Sequence, residues 1–321
     1  MNLKNISFGS KDELKDNYEL VIIGGGPGGM TAGIYAARSR IDHAILEATP
    51  FPGGQILNTQ IIENYPGFDA PLSGYELMEK FKTQASNFGA VFVTAETVEL
   101  TKDGDFFEIA TVAGDTTASA VIISTGAVPK RLGAEDESKF IGKGVSFCAT
   151  CDAPLYKNKV CAVIGGGDSA VEEAMYLTKY ASKVYLIHRR DSLRAAKIAQ
   201  ERLFDNSKIE VLWSHLPVRV LGENYVEGME LESLKTGARK VLAVDGIFVY
   251  VGILPNTKFI QIPELKMDDN GFIITDAEMC TNIPGLFACG DVRQKSLRQV
   301  SNAVGEGATA EHSAEKYLEG M

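Results

Sequence analysis

Apolar residues fall in short runs along this chain, and two of those runs open the same pattern. Leu20-Val21-Ile22-Ile23 leads into three glycines, Gly24 to Gly26. A helix-compatible stretch follows, and a second apolar run, Ala44-Ile45-Leu46, closes at Glu47. The segment from Lys159 to Arg190 repeats this order. Val160-Cys161-Ala162-Val163-Ile164 leads into Gly165 to Gly167, a helix-compatible stretch, and the apolar run Val184-Tyr185-Leu186-Ile187. Apolar runs of this length before a glycine turn fit buried parallel strands, so the pattern predicts strand, turn, helix, strand in both places. The repeated unit predicts an α/β fold with two nucleotide-binding domains on doubly wound parallel sheets.

Glycine and proline punctuate the chain further. Ser124-Thr125-Gly126-Ala127-Val128-Pro129 ends one apolar strand, and Val251-Gly252-Ile253-Leu254-Pro255-Asn256 ends another. These borders separate residues 18–128, 129–254 and 255–321, with a polar extension over residues 1–17.

The two glycine turns carry the chemistry of Rossmann-like dinucleotide-binding domains. Gly24, Gly26 and Gly29 form G-x-G-x-x-G. Gly24 permits the tight turn, Gly26 lets the backbone approach a pyrophosphate, and Gly29 lets the helix pack close to the strand. Free N–H groups at the helix start then face the phosphates. Glu47, at the tip of the second strand, is placed to accept hydrogen bonds from a ribose diol. The second turn reads Gly165-x-Gly167-x-x-Ala170, with Asp168 and Ser169 inside it. No acid ends its second strand. His188, Arg189, Arg190 and Arg194 cluster there instead. An acid would repel a ribose 2′-phosphate, whereas guanidinium groups bind it, so this site predicts NADPH over NADH. The bland reading of the arginines is a solvated helix start, and His188 alone fits either a core residue or a ligand. An acid-tipped site suits FAD and an arginine-tipped site suits NADPH.

Composition narrows the class. The chain has 321 residues, 45% of them hydrophobic and 23% charged, with a net charge of −10. That balance argues against a general affinity for nucleic acid or an anionic membrane. No apolar run is long enough to cross a bilayer, and the N-terminus lacks a signal-type apolar core, so a cytoplasmic enzyme is expected.

The five cysteines are Cys148, Cys151, Cys161, Cys280 and Cys289, too few and too scattered for a secreted disulfide framework. Cys161 and Cys289 sit in apolar runs and read as buried thiols. Only Cys148-Ala149-Thr150-Cys151 is spaced for chemistry, because C-x-x-C allows an intramolecular disulfide and tends to favour one thiolate. A structural zinc site would need two more ligands, which the neighbouring sequence lacks, so no metal is expected. Asp152 reads equally as a general acid and as a helix N-cap ahead of Pro154.

Together these motifs resemble the low-molecular-weight, bacterial-type thioredoxin reductases, a class of pyridine nucleotide-disulfide oxidoreductase, over nearly the whole chain from about residue 18. The resemblance rests on C-A-T-C-D at 148–152, GGGDSAVEEA at 165–174, HRRDSLR at 188–194 and GGGPGG at 24–29. Gly53-Gly54-Gln55, Glu63-Asn64-Tyr65-Pro66-Gly67, Gly290-Asp291 and Arg298-Gln299-Val300 add to it. It implies a discontinuous FAD domain, residues 18–128 and 255–321, with an NADPH domain carrying the C-x-x-C inserted as 129–254. It implies that Asp291 meets a ribityl hydroxyl and that Gly54, Gln55, Asn64, Arg298, Gln299 and Ala303 line the flavin site. Arg189, Arg190 and Arg194 would clamp the 2′-phosphate. Cys151 would take electrons from the flavin, Cys148 would attack the partner disulfide, and Asp152 would be the acid. It further implies thioredoxin, or a similar dithiol protein, as partner, a homodimer, and rotation of one domain against the other. Two departures stand out: Ala153 where the family usually has Gly, which puts the local backbone in doubt because Ala avoids positive φ, and the N-terminal extension. Rival expectations are a ferredoxin-fed flavin reductase and an FAD-binding redox sensor without turnover.

Overall fold

The computed structural model describes residues 13–58, 62 and 64–320, without the side chains of Asn58, Thr150 and Cys151. Most of the polar extension, residues 1–12, lies outside the described residues. The chain divides into two compact units. One comprises the N-terminal segment through Leu57 together with residues 62–128 and 254–321, and the other is centred on residues 129–253.

In the first unit, β1 (Asn17–Ile23) lies between β2 (His43–Glu47) and β6 (Gly114–Ile123), parallel to both. β3 (Phe92–Thr94) extends the sheet beyond β2, and β17 (Leu286–Ala288) pairs with β6 in parallel. β4 (Thr97–Asp103) and β5 (Phe106–Thr111) continue it as an antiparallel meander on β6. Leu20, Val21 and Ile22 are fully buried, as expected of a central strand covered on both faces. Each such side chain contributes roughly 1.5–3 kcal/mol by burial. The covering helices are α1 (Pro27–Ser39), α2 (Gly74–Phe88) and α6 (Val300–Glu319). Glycine sets the approach of α1 to α6: a Cβ on Gly307 would collide with the Gly28 carbonyl. α2 begins with a reciprocal Ser73–Glu76 capping box and stops at Gly89, which takes φ 91°.

The second unit repeats the plan. β9 (Val160–Gly165) lies between β10 (Lys183–His188) and β15 (Gly246–Tyr250), with β11 (Ile209–Trp213) and β8 (Val145–Ser146) at the edges, all parallel. α4 (Asp168–Leu177) and α5 (Lys197–Phe204) belong to this unit. A separate antiparallel sheet is built from β12 (His215–Gly222), β13 (Val226–Ser233) and β14 (Arg239–Ala243). Where the chain passes between units, β7 (Ala127–Pro129) pairs with β16 (Ile253–Pro255). Among the described residues, no helix is long and apolar enough to cross a membrane.

Candidate active site

Strand register explains the first turn. Ile23 of β1 pairs with Leu46 of β2, so the residues just past them, Gly24 and Glu47, emerge side by side. The Gly25 amide donates to Glu47 Oε2 at 2.9 Å, and the Thr49 amide donates to Oε1 at 3.2 Å. The acid expected to meet a ribose therefore also braces the glycine turn. Gly24 takes φ 105°, and a Cβ there would press on the Ser124 carbonyl. Gly29 is closed by the Gly24 carbonyl, whereas the nearest atom to a Cβ on Gly26 would be 4.0 Å away. The open glycine and the two crowded ones match the division of labour expected from the motif. α1 has no side-chain N-cap, and Pro27 occupies its first turn, so backbone N–H groups at its start remain free for an anion. These residues fit a dinucleotide diphosphate.

Residues far apart in sequence gather within the same unit. Asn64 Nδ2 donates to Gln299 Oε1 at 2.9 Å across 235 positions. Gly54, at φ 65°, opens a short 3-10 turn that carries the exposed Gln55. Gly290 takes φ 76°, and its amide donates to Glu306 Oε2 at 2.8 Å. Ala303 lies beside Gly290 and presents its carbonyl toward Gly28. Arg298 is turned to its own loop. It donates to the carbonyls of Lys295 (3.1 Å) and Arg293 (3.5 Å), with its guanidinium 4.3 Å from the Phe272 ring centroid.

The second turn is tied from within. Ile187 pairs with Ile164, which brings His188 against the turn, and a Cβ on Gly166 would strike the His188 ring. The Arg194 amide donates to the Gly166 carbonyl at 2.7 Å, and the Ala196 amide donates to Asp168 Oδ1 at 2.7 Å. His188 and Asp168 thus hold the glycine turn and the arginine loop as one piece. Burial lowers the His188 pKa, and the neighbouring Arg194, Arg190 and Arg189 lower it further, so the ring is neutral at pH 7. A Cβ on Gly167 would meet nothing within 4 Å, and Ser169 is exposed beside it. Arg189, Arg190 and Arg194 are exposed, and none has a carboxylate partner among the described residues. Three unpaired guanidinium groups beside an open turn fit a phosphorylated ribose.

Cys148 is disulfide-bonded, whereas Cys161, Cys280 and Cys289 are free thiols. Burial pushes the Cys161 and Cys289 thiols up to about 12, which keeps both protonated and unreactive. The side chain of Cys151, singled out from the sequence, lies outside the described residues. The backbone around Cys148 is firmly held. Its amide donates to Ser146 Oγ at 3.1 Å, and the Ala149 amide donates to Tyr250 Oη at 2.6 Å. Asp152 is half-buried, and its side chain makes no capping bond to the turn that follows, which removes the observation its N-cap reading needs. Ala153 is fully buried at negative φ in a 3-10 turn. The backbone here therefore does not require glycine.

Sequence reasoning passed over Tyr250 and Glu306. A tyrosine ending an apolar strand carries no signal of its contact 101 positions away. Glu306 lies in a helix whose own sequence gives no sign of the Gly290 amide, Arg293 and Lys295 that it meets.

Two parallel-sheet units, each with a glycine turn of dinucleotide-binding geometry, and a disulfide ahead of the second turn define a nucleotide-dependent oxidoreductase fold. Residues 18–307 match the pyridine nucleotide-disulphide oxidoreductase family, and the chain belongs to it. It is 46% identical over 305 residues to the thioredoxin reductase of Listeria monocytogenes, covering 94% of each chain. It is 42% identical over 306 residues to that of Treponema pallidum, covering 95% of this chain and 99% of the relative. The crystal structure of Lactococcus lactis thioredoxin reductase (FR conformation) is similar with a TM-score of 0.83 at 42% identity, covering 95% of this chain and all of that one.

Proposed function

We propose that this chain is an NADPH-dependent flavoprotein that reduces the disulfide of thioredoxin or a thioredoxin-like protein. The carrying observation is a disulfide-bonded Cys148 shortly ahead of a dinucleotide turn whose three arginines have no acidic partner among the described residues. The similarity to thioredoxin reductases over nearly the full length supports the same reading.

In this reading Gly24, Gly26 and Gly29 hold the diphosphate of FAD, Glu47 its adenosine ribose, and Asp291 its ribityl chain. Gly54, Gln55, Asn64, Gln299 and Ala303 surround the remainder, and Arg298, turned to its own loop, holds the segment that carries Gln299. Gly165, Gly167 and Ser169 hold the NADPH diphosphate, with the turn braced by Asp168 and His188, and Arg189, Arg190 and Arg194 bind the 2′-phosphate. When bound, the flavin supplies a two-electron carrier between nicotinamide and disulfide. The Cys148–Cys151 disulfide takes up that electron pair at Cys151. Cys148 then attacks the partner disulfide as thiolate, forming a mixed disulfide that Cys151 resolves. Asp152 donates the proton to the leaving thiolate. One NADPH and one proton are consumed for each disulfide converted to two thiols. The three free thiols suit a reducing compartment, and the reading carries a cytoplasmic homodimer.

The test is to purify the protein, record its visible spectrum, and follow NADPH oxidation with thioredoxin as acceptor. A yellow protein with turnover that vanishes in Cys148→Ser and Cys151→Ser is expected. A colourless protein, or one that consumes no NADPH with thioredoxin, overturns the reading. A flavin spectrum without turnover would mark a redox sensor.

A further inference from the structure

At the Gly290-Asp291 turn lies a cluster of ions of which the function above uses only Asp291. Glu306 projects from the first half of α6 and is 9% exposed. It receives three donors: the Gly290 amide at 2.8 Å, Arg293 Nη1 at 2.7 Å and Lys295 Nζ at 3.1 Å. Lys295, with only 7% of its side chain exposed, also lies 3.4 Å from Asp291 Oδ1. Two cations and two carboxylates therefore balance here, three of the four nearly shut off from water, where an uncompensated charge is costly. The arrangement is asymmetric in access. Glu306, Arg293 and Lys295 are closed off, while the Asp291 side chain is 37% exposed. Asp291 is the accessible end of a chain of charges that begins inside the unit.

We propose that Lys295, held in place by Glu306, is a positioning residue for flavin binding: it holds the Asp291 carboxylate in place as an acceptor. This rests on the reading of Asp291 as a contact of the FAD ribityl chain. Glu306 acts twice, fixing the turn directly through the Gly290 amide and fixing Asp291 through Lys295. A lysine that was merely neutralising Glu306 would have no reason to reach Asp291, since Arg293 already forms the shorter bond to Glu306. A single ammonium bridging both carboxylates instead sets the distance between turn and helix, a pre-organisation that lowers the ordering cost of ligand binding.

The test compares FAD dissociation constants of apoproteins, read by quenching of flavin fluorescence, with circular dichroism reporting the fold. Lys295→Met is expected to raise the Kd at least tenfold while the apoprotein keeps its wild-type spectrum. Lys295→Arg, which keeps a cation able to bridge both acids, is expected to stay within threefold of wild type. A Lys295→Met protein that binds FAD as wild type does overturns the proposal, and so do equal losses in the Met and Arg variants. Should Lys295→Met fail to fold, Glu306→Gln still offers an acceptor to the Gly290 amide and carries the same expectation and the same overturning result. Wild-type apoprotein that binds no FAD would instead refute the flavin reading itself.

Discussion

At the scale of single residues, charge and burial decide what each side chain can do. Arg190 and Arg194 stand exposed beside the second turn with no acidic partner among the described residues, so their charge is available to a ligand phosphate. A charge-assisted hydrogen bond contributes about 1.5–3 kcal/mol. Replacing either arginine by Ala should therefore raise the KM for NADPH by roughly ten- to a hundredfold. The KM for NADH should barely move, and steady-state kinetics with both nucleotides checks this. Glu311 shows the opposite situation. It is 1% exposed, its Oε1 has no hydrogen-bond partner among the described residues, and burial with the nearby Glu315 pushes its pKa up to about 7, opposed by a hydrogen bond from Ser39. The folded state thus keeps a proton that the unfolded chain releases at lower pH. Its contribution is most favourable below the ordinary carboxylate value and is lost as pH rises through about 7. Glu311→Gln should stabilise the protein by on the order of 1–3 kcal/mol at pH 8. Thermal midpoints of variant and wild type should converge near pH 5, and equal shifts at both pH values would reject the assignment.

At the scale of elements, register and close packing place the chemistry. Parallel pairing of β1 with β2 sets Glu47 beside Gly24, and the same pairing of β10 with β9 sets His188 against Gly166. One topological rule thus yields an acid that braces one turn and an imidazole that braces the other. The segment after Asp152 makes a sharper point. Ala153 is buried in the cluster with Ala149, Tyr156 and Phe248, at a φ that any L-residue adopts. Restoring the family's glycine by Ala153→Gly should therefore cost stability, about 0.5–1 kcal/mol from chain entropy alone, rather than relieve strain. A denaturant melt of the two proteins measures it, and a more stable glycine variant would show that the backbone there is strained after all.

At the scale of the whole molecule, the second unit has its own parallel sheet and its own core. It enters and leaves through adjacent strands, with the Lys130 amide donating to the Gly252 carbonyl at 2.9 Å. A fragment of residues 129–253 should accordingly fold cooperatively by itself and bind NADP+ without flavin. Circular dichroism melting and a nucleotide titration test this, and a disordered spectrum would refute it. The division of labour between chain and fold follows from the range of the forces involved. Glycine turns, β-branched runs and C-x-x-C spacing act over a few neighbours, so Gly24, Gly165 and Cys148 were legible from local order alone, as were the α/β class and the acid-tipped and arginine-tipped turns. Contacts that close over long sequence separation were not. The Asn64–Gln299 bond, the Tyr250 grip on Ala149, and the turning of Arg298 onto its own loop depend on which strands and helices become neighbours. The burial of Glu306 beneath Gly290 belongs with them, because a helix does not reveal in its own sequence which cations it will meet. Local stereochemistry determined what this protein could bind; only tertiary packing, by excluding water from particular polar groups, decided which side chains are left free to bind it.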